Sequence, residues 1–185
     1  MRRVVVVGPA GSGKTTLAGA LGAACDLPHT ELDALWWDPG WTEVGPEEFR
    51  RRLAPVVARD RWVLCGNYFS MGMRDVAWPR ADTIVWVDLA KWRTITRIVR
   101  RTVRRSRSGV ELWPGTGNRE QLRGALGRDE LLRFAWRAYP KYRARYSVIR
   151  EDPELAHLTV IRLGSPRAVR AWIEEVNERC RTHPV

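Results

Sequence analysis

Residues 3 to 16, RVVVVGPAGSGKTT, decide the fold. The apolar, β-branched run ending at Val7 reads as a short strand buried on both faces. Gly13 to Ala24 continues as a helix whose small residues allow close packing on a sheet. Between the two, Gly8, Gly13, Lys14 and Thr15 complete the pattern G-x-x-x-x-G-K-[ST] in a strand-to-helix context. The glycines let the backbone curl, so that the N–H groups of Ala10, Gly11, Ser12, Gly13, Lys14, Thr15 and Thr16 turn toward one point. The helix N-terminus adds positive potential there. Lys14 is expected to bridge the β- and γ-phosphates of ATP, and the Thr15 hydroxyl to ligate Mg²⁺.

Working outward, apolar runs alternate with helical patterns. His29 to Asp33 (HTELD), Arg61 to Gly66, Thr83 to Asp88 and Leu158 to Leu163 read as further strands. Pro46 to Arg59, Lys91 to Arg107, Asp129 to Tyr146 and the stretch from Pro166 to about Cys180 read as helices. Pro55 should kink or end the first of these, and Ser165 suits an N-cap for the last. Lys91 to Arg107 is amphipathic, with Trp92, Ile95, Val99 and Val103 on one side and arginines on the other. Arg107 to Asn118, with three glycines and a proline, reads as a mobile loop. The alternation predicts one three-layer α/β/α domain with a mostly parallel five-stranded sheet. Gly8, Asp33, Gly66, Asp88 and Gly164 should then share the carboxyl edge, where such folds bind ligands.

The 185 residues suit one domain with a full core, and no apolar stretch approaches the roughly 20 residues that span a bilayer. Cys25, Cys65 and Cys180 are far apart and in no metal-ligand spacing, which fits three buried thiols in a reducing cytoplasm. Net charge is +11, concentrated in two blocks: eight basic residues and no acid from Leu89 to Val110, six and no acid from Leu131 to Arg150. Such blocks suit either a nucleic-acid surface or a phosphate clamp, with solvated helix faces accounting for most individual arginines. No helix-turn-helix, zinc finger or RNA-binding aromatic signature accompanies them.

Asp88, ending TIVWVD, is the candidate acid for Mg²⁺, unless it only makes a turn. Leu89 follows it rather than the glutamate that activates water in motor ATPases, and no N-K-x-D or D-x-x-G pattern is present. These features turn the reading from motors and regulatory GTPases toward small-molecule kinases.

GPAGSGKTTLAGALG, ELDALWWDPGW, GNY (66 to 68) and RADTIVWVDLAKW together resemble the bacterial P-loop kinases described as DNA topology modulation (FlaR-type) proteins, which are similar to adenylate and shikimate kinases. The resemblance implies a nucleoside monophosphate kinase-like fold: a core of 1–33, 60–90 and 150–185, a substrate-binding segment of about 34–59 and a lid of about 97–137. It implies ATP as donor but fixes no acceptor, for which a nucleoside monophosphate comes first and a hydroxylated metabolite or antibiotic next. TRIVRR (96 to 101) is similar to the opening of the adenylate kinase lid, so Arg97 and Arg101 would meet ATP phosphates or stack on its base. Arg133 and Arg137 would be returning lid arginines, Arg137 with a catalytic role and Arg133 on the substrate, and the loop from Gly164 to Arg167 would line the adenine. Cys65 departs from the acid that related sequences carry before G-N-Y, which leaves more of the metal's work to Asp88 and Asp33.

On the acceptor side, Asp33 is the expected catalytic carboxylate, placed to orient an acceptor hydroxyl and take its proton. Trp36, Trp37 and Trp41 either wall a ring or pack the segment on the core. Asn67, Tyr68 and Arg74 follow the third strand, and Arg74 suits an acceptor phosphate or simply the surface. Arg50, Arg51 and Arg52 reach toward the same region. The remaining alternatives are a nucleic-acid-associated ATP-binding protein and a plain ATPase.

Overall fold

A computed structural model describes residues 1–120 and 130–182. Its main sheet has five strands, β1 (Arg3–Val7), β2 (His29–Glu31), β5 (Trp62–Cys65), β6 (Thr83–Val87) and β7 (Thr159–Leu163), in the order β2-β5-β1-β6-β7. Every pairing in it is parallel. A two-stranded ribbon, β3 (Trp37–Asp38) with β4 (Thr42–Glu43), lies outside it. The helices are α1 (Lys14–Cys25), α2 (Leu32–Trp36), α3 (Pro46–Val57), α4 (Lys91–Ser108), α5 (Glu130–Ser147) and α6 (Pro166–Thr182). The expected helix start at Asp129, and residues 121–129 of the expected lid, lie outside the described residues.

The strands read as continuous apolar runs because both faces of the sheet are covered. Val5, Val7, Leu64, Ile84 and Trp86 meet α3 and Tyr146 on one side. Val4, Val6, Val63, Val85 and Val87 meet α1 and α6 on the other. Each fully buried valine contributes roughly 1.5–3 kcal/mol of transfer free energy, which is why the short β1 can hold the centre. Ser165 Oγ caps α6 by accepting from the Ala168 N–H at 3.1 Å. Pro55 falls in the last turn of α3, which ends two residues later.

Four expectations change. The second strand stops at Glu31, and Asp33 sits in the first turn of a helix. Leu32, Leu35 and Trp36 recur at helical spacing, and Leu32 packs so closely under Gly66 that a Cβ there would lie 2.8 Å from Leu32 Cβ. The buried stripe of α4 is Thr94, Ile98 and Thr102, while Trp92 is 61% exposed. That stripe packs on the loop after β1, where a Cβ on Gly11 would lie 2.8 Å from Ile98 Cγ1. The glycine-rich stretch after α4 is folded back on itself: Glu111 bridges Arg119, and Asn118 is buried. Finally, Cys25 and Cys180 form a disulfide, leaving Cys65 as the free thiol. Cys25 ends α1 and Cys180 lies in the last turn of α6, two helices that pack side by side. The inference of a reducing compartment from three free thiols therefore loses its basis.

Candidate active site

The loop after β1 is shaped by close approach. A Cβ on Gly8 would stand 2.4 Å from the Val87 carbonyl oxygen, and one on Gly11 2.3 Å from that of Thr94, so only glycine lets the loop lie between β6 and α4. α1 starts at Lys14, with its first amides facing the loop. Asn67 locks the loop's entry: the Gly8 N–H donates to Asn67 Oδ1 at 3.2 Å, and Asn67 Nδ2 donates to the Gly8 carbonyl at 2.8 Å. Tyr146 donates to the same Oδ1 at 3.0 Å. Asn67, expected at the acceptor, thus binds the phosphate loop instead.

Two loop-facing donors stand unsatisfied. Ser12 Oγ and Arg101 Nε are buried without a hydrogen-bond partner. Buried polar groups in a finished fold are nearly always paired, so a ligand rich in acceptor oxygens fits here. Lys14 Nζ donates to the Pro9 carbonyl at 3.0 Å, arched over the loop. Burial lowers its pKa to about 8, an effect that the nearby Asp33 and Cys65 partly oppose. Arg97 Nη1 donates to the Ser12 carbonyl at 3.1 Å, which brings a second cation to the loop. Arg101 is sunk beside Lys14 in the field of Glu120, Asp33 and Glu31, and desolvation lowers its pKa.

The acids lie across from these cations. Asp33 accepts from the Tyr68 hydroxyl at 2.6 Å. Burial and that carboxylate push the Tyr68 pKa up, and the Trp37 side chain hydrogen-bonds the same phenol. Glu31 lies by the Trp113 side chain, and its pKa is raised by desolvation and by Asp33. Trp37, Trp41 and Trp113 meet edge to face in a chain, each centroid 5.7 Å from the next. Asn118 pins the arrangement, accepting from the Trp41 N–H at 3.0 Å and donating to the Asp38 carbonyl at 2.9 Å. Trp36, by contrast, is buried against Phe49 and Tyr68.

The metal expectation divides. The Thr15 hydroxyl lies at the start of α1, 3.7 Å from Cys65 Sγ. Burial raises the Cys65 thiol to about 12, so at neutral pH it carries no charge to offer a cation. Asp88, expected to hold Mg²⁺, is instead buried between two guanidiniums: Arg162 Nε donates at 2.9 Å and Arg143 Nε stands 3.1 Å away. Trp86 steers Arg162 there, its ring 4.7 Å beneath that guanidinium in the paired register. Of the two residues expected at the metal, Asp88 thus has its charge met by two guanidiniums, while the Thr15 hydroxyl stays at the loop.

Other expected residues lie elsewhere. Arg74 is bound by Asp152 and Glu154, both at 2.8 Å. Arg133 and Arg137 flank an open groove with Ile95 and Trp136 on the outer side of α4 and α5. Arg167 is exposed at the start of α6. The residues missed from sequence are Glu31, Trp113, Arg143 and Arg162. Glu31 had a signal in its two-residue spacing from Asp33. The other three lie far along the chain from their partners.

No protein-family model matches the chain, and no curated protein sequence matches it significantly. Solved structures do resemble it in shape. A sugar kinase from Janibacter sp. HTCC2649 superposes with a TM-score of 0.52 at 19% identity, covering 98% of this chain and 93% of that one. A gluconokinase from Sinorhizobium meliloti gives 0.51 at 18%, covering 98% and 96%. A shikimate kinase from Bacteroides thetaiotaomicron gives 0.51 at 16%, covering 97% and 98%. With its parallel five-stranded sheet flanked by helices and its glycine-rich phosphate loop, the chain has the P-loop kinase fold.

Proposed function

We propose that this protein transfers the γ-phosphoryl group of ATP to a hydroxyl of a small-molecule acceptor. The observation that carries this reading is the meeting of two unsatisfied donors, Ser12 Oγ of the loop and Arg101 Nε of α4, with Lys14 and a hydrogen-bonded Asp33. Loop amides, Lys14, Arg97 and Arg101 would surround the transferred group, so positioning and charge neutralisation do most of the work. Asp33 would orient the acceptor hydroxyl and take its proton, with Tyr68 holding the carboxylate in place. Magnesium, held by Thr15 and the Asp33 side of the site, supplies neutralisation of the phosphate oxygens when bound. The 97–137 segment serves as a lid over the bound nucleotide and excludes water that would otherwise take the phosphoryl group. Arg137 and Arg133 could join only by moving from their outward positions. The loop from Gly164 to Arg167 lies at the carboxyl edge, where it would flank the base. ATP as donor implies the cytoplasm as workplace.

The sequence resemblance to the FlaR-type and adenylate kinases puts a nucleoside monophosphate first as acceptor. That choice needs a free cation on the acceptor side, and Arg74 is already paired. The second reading, a nucleic-acid-associated ATP-binding protein, draws on the outward arginines of α4 and the exposed Trp92 and Trp136. Duplex DNA binding at physiological salt, read against salt concentration, would favour it.

The test is acceptor-dependent ADP release with Lys14→Ala as blank. Asp33→Asn should cut transfer by about 10²–10⁴ with ATP affinity kept. An unchanged rate in Asp33→Asn removes it from the chemistry.

A further inference from the structure

Two carboxylates face the phosphate loop, and no described cation pairs with either. Glu31 stands by the Trp113 side chain and Asp33 accepts from the Tyr68 hydroxyl, both neutral groups, and among the described residues neither acid forms an ion pair. Of the arginines that the sequence offered to an anionic acceptor, Arg133 lines the outer groove and the other four each stand by an acid. Arg50 stands 3.8 Å from Asp75, Arg51 2.6 Å from Glu48, and Arg52 2.8 Å from Asp38. Arg74 takes Asp152 and Glu154. Arg105 is drawn off by Glu120, which also accepts from Thr102. Arg101 remains, in the field of both acids as well as beside Lys14, where the donor phosphates would draw it.

The three indoles complete the site. At one end of their chain Trp113 lies by Glu31; at the other Trp37 lies by Tyr68, which donates to Asp33. The aromatic arc therefore spans the two acids, with Trp41 in its middle. A carboxylate offers about four lone-pair sites, and each of these has one protein partner described, so both can still accept hydroxyl donors. Indole faces stack on apolar C–H surfaces and attract ammonium groups. A phosphorylated or carboxylated acceptor would instead bring negative charge beside two acids in a partly desolvated site, where repulsion is screened little.

Accepting phosphoryl transfer as the activity, we infer that the acceptor is a hydroxylated molecule without negative charge, of the sugar or amino-sugar class, gripped by Glu31 and Asp33 and stacked on Trp37, Trp41 and Trp113. The hydroxyl oxygen bonds to the γ-phosphorus as the bond from that phosphorus to the β-bridging oxygen breaks. ADP leaves, and the hydroxyl proton passes to Asp33. Glu31 takes no part in that step; it holds the acceptor.

The experiment measures ADP release by the full-length chain with ATP and Mg²⁺ against four sets: neutral sugars and polyols, amino sugars, nucleoside monophosphates, and hydroxy acids. Turnover confined to the first two sets is expected, and the ratio between them separates hydroxyl recognition from ammonium recognition. Glu31→Gln should raise the acceptor KM at least tenfold while the KM for ATP stays within twofold. Preference for a nucleoside monophosphate or a hydroxy acid, or an acceptor KM unmoved by Glu31→Gln, overturns the assignment of acceptor class and leaves phosphoryl transfer standing. ADP release that no acceptor stimulates overturns phosphoryl transfer itself, and the acceptor class with it.

Discussion

The donor half of the site and the acceptor half are built by opposite means. The donor half is nine consecutive residues, Gly8 to Thr16, held by glycines that fit under β6 and α4 and by one side chain, Asn67. Its ligand groups are mostly backbone amides, whose direction follows from φ and ψ. The acceptor half draws on β2, the ribbon, the turn after β5, α4 and the folded loop that carries Trp113 and Asn118. Its ligand groups are side chains held by other side chains. A site of the first kind survives sequence change as long as its glycines stay, while one of the second kind is retuned by single substitutions. Within one fold, phosphate binding can thus be inherited while the acceptor changes.

Breaking the donor half should have the largest effect. Lys14→Ala is expected to reduce transfer by about 10³-fold or more, since it removes a charge aimed at the transferred group; single-turnover ADP formation checks it. Next comes Asn67→Ala, which leaves the Gly8 N–H and carbonyl without their partner. Stranding such buried groups costs about 1–3 kcal/mol, or a few degrees in Tm for a chain of this size. ATP affinity should fall with it, because the loop's entry loosens. An Asn67→Ala protein with unchanged Kd for ATP would show that the loop shapes itself without that clamp.

A pH titration sharpens the contrast further. Lys14 carries a proton below about 8 and loses it above, because burial lowers its pKa. ATP affinity should therefore be highest on the acid side and decline as pH rises through about 8, measured as Kd for ATP with Mg²⁺ held constant. The Lys14→Ala protein should lack that decline. On the acceptor side, Trp113→Ala should raise the acceptor KM several-fold and leave Kd for ATP alone, since Trp113 meets Glu31 and Trp41 but no residue of the phosphate loop. The smallest effect belongs to Arg74→Ala. Its pairs with Asp152 and Glu154 are partly exposed, so the loss should be about 1 kcal/mol, a shift of about 2–4 °C in Tm.

The helix–strand alternation and the parallel sheet were legible because both rest on local patterns: continuous β-branched runs for strands covered on two faces, helical spacing between them. The α2 helix was missed because Glu31 and Asp33 straddle its start, and alternation over five residues resembles a strand. The inward face of α4 was misjudged for a different reason. Apolar spacing marks the face that leaves water for a core, but this helix packs on the backbone of the glycine-rich loop, and Thr94, Ile98 and Thr102 turn inward there. Asp88 was read as a metal ligand from its place at a strand end, and only the approach of Arg143 from α5 and Arg162 from β7 showed its charge already taken.

By itself, the sequence located the glycine-rich loop that the proposed function assigns to phosphate. Main-chain amides need no partner from afar, so a glycine spacing and a lysine suffice to announce them. The tertiary structure alone decided which charges remain free. Arg50, Arg51, Arg52 and Arg74 look available in the sequence and are neutralised in the fold, whereas Glu31 looks incidental and is left facing the site beside Asp33. Charge pairing depends on distances of a few ångströms between residues up to 80 positions apart, as for Arg74 and Glu154, and no local pattern encodes those.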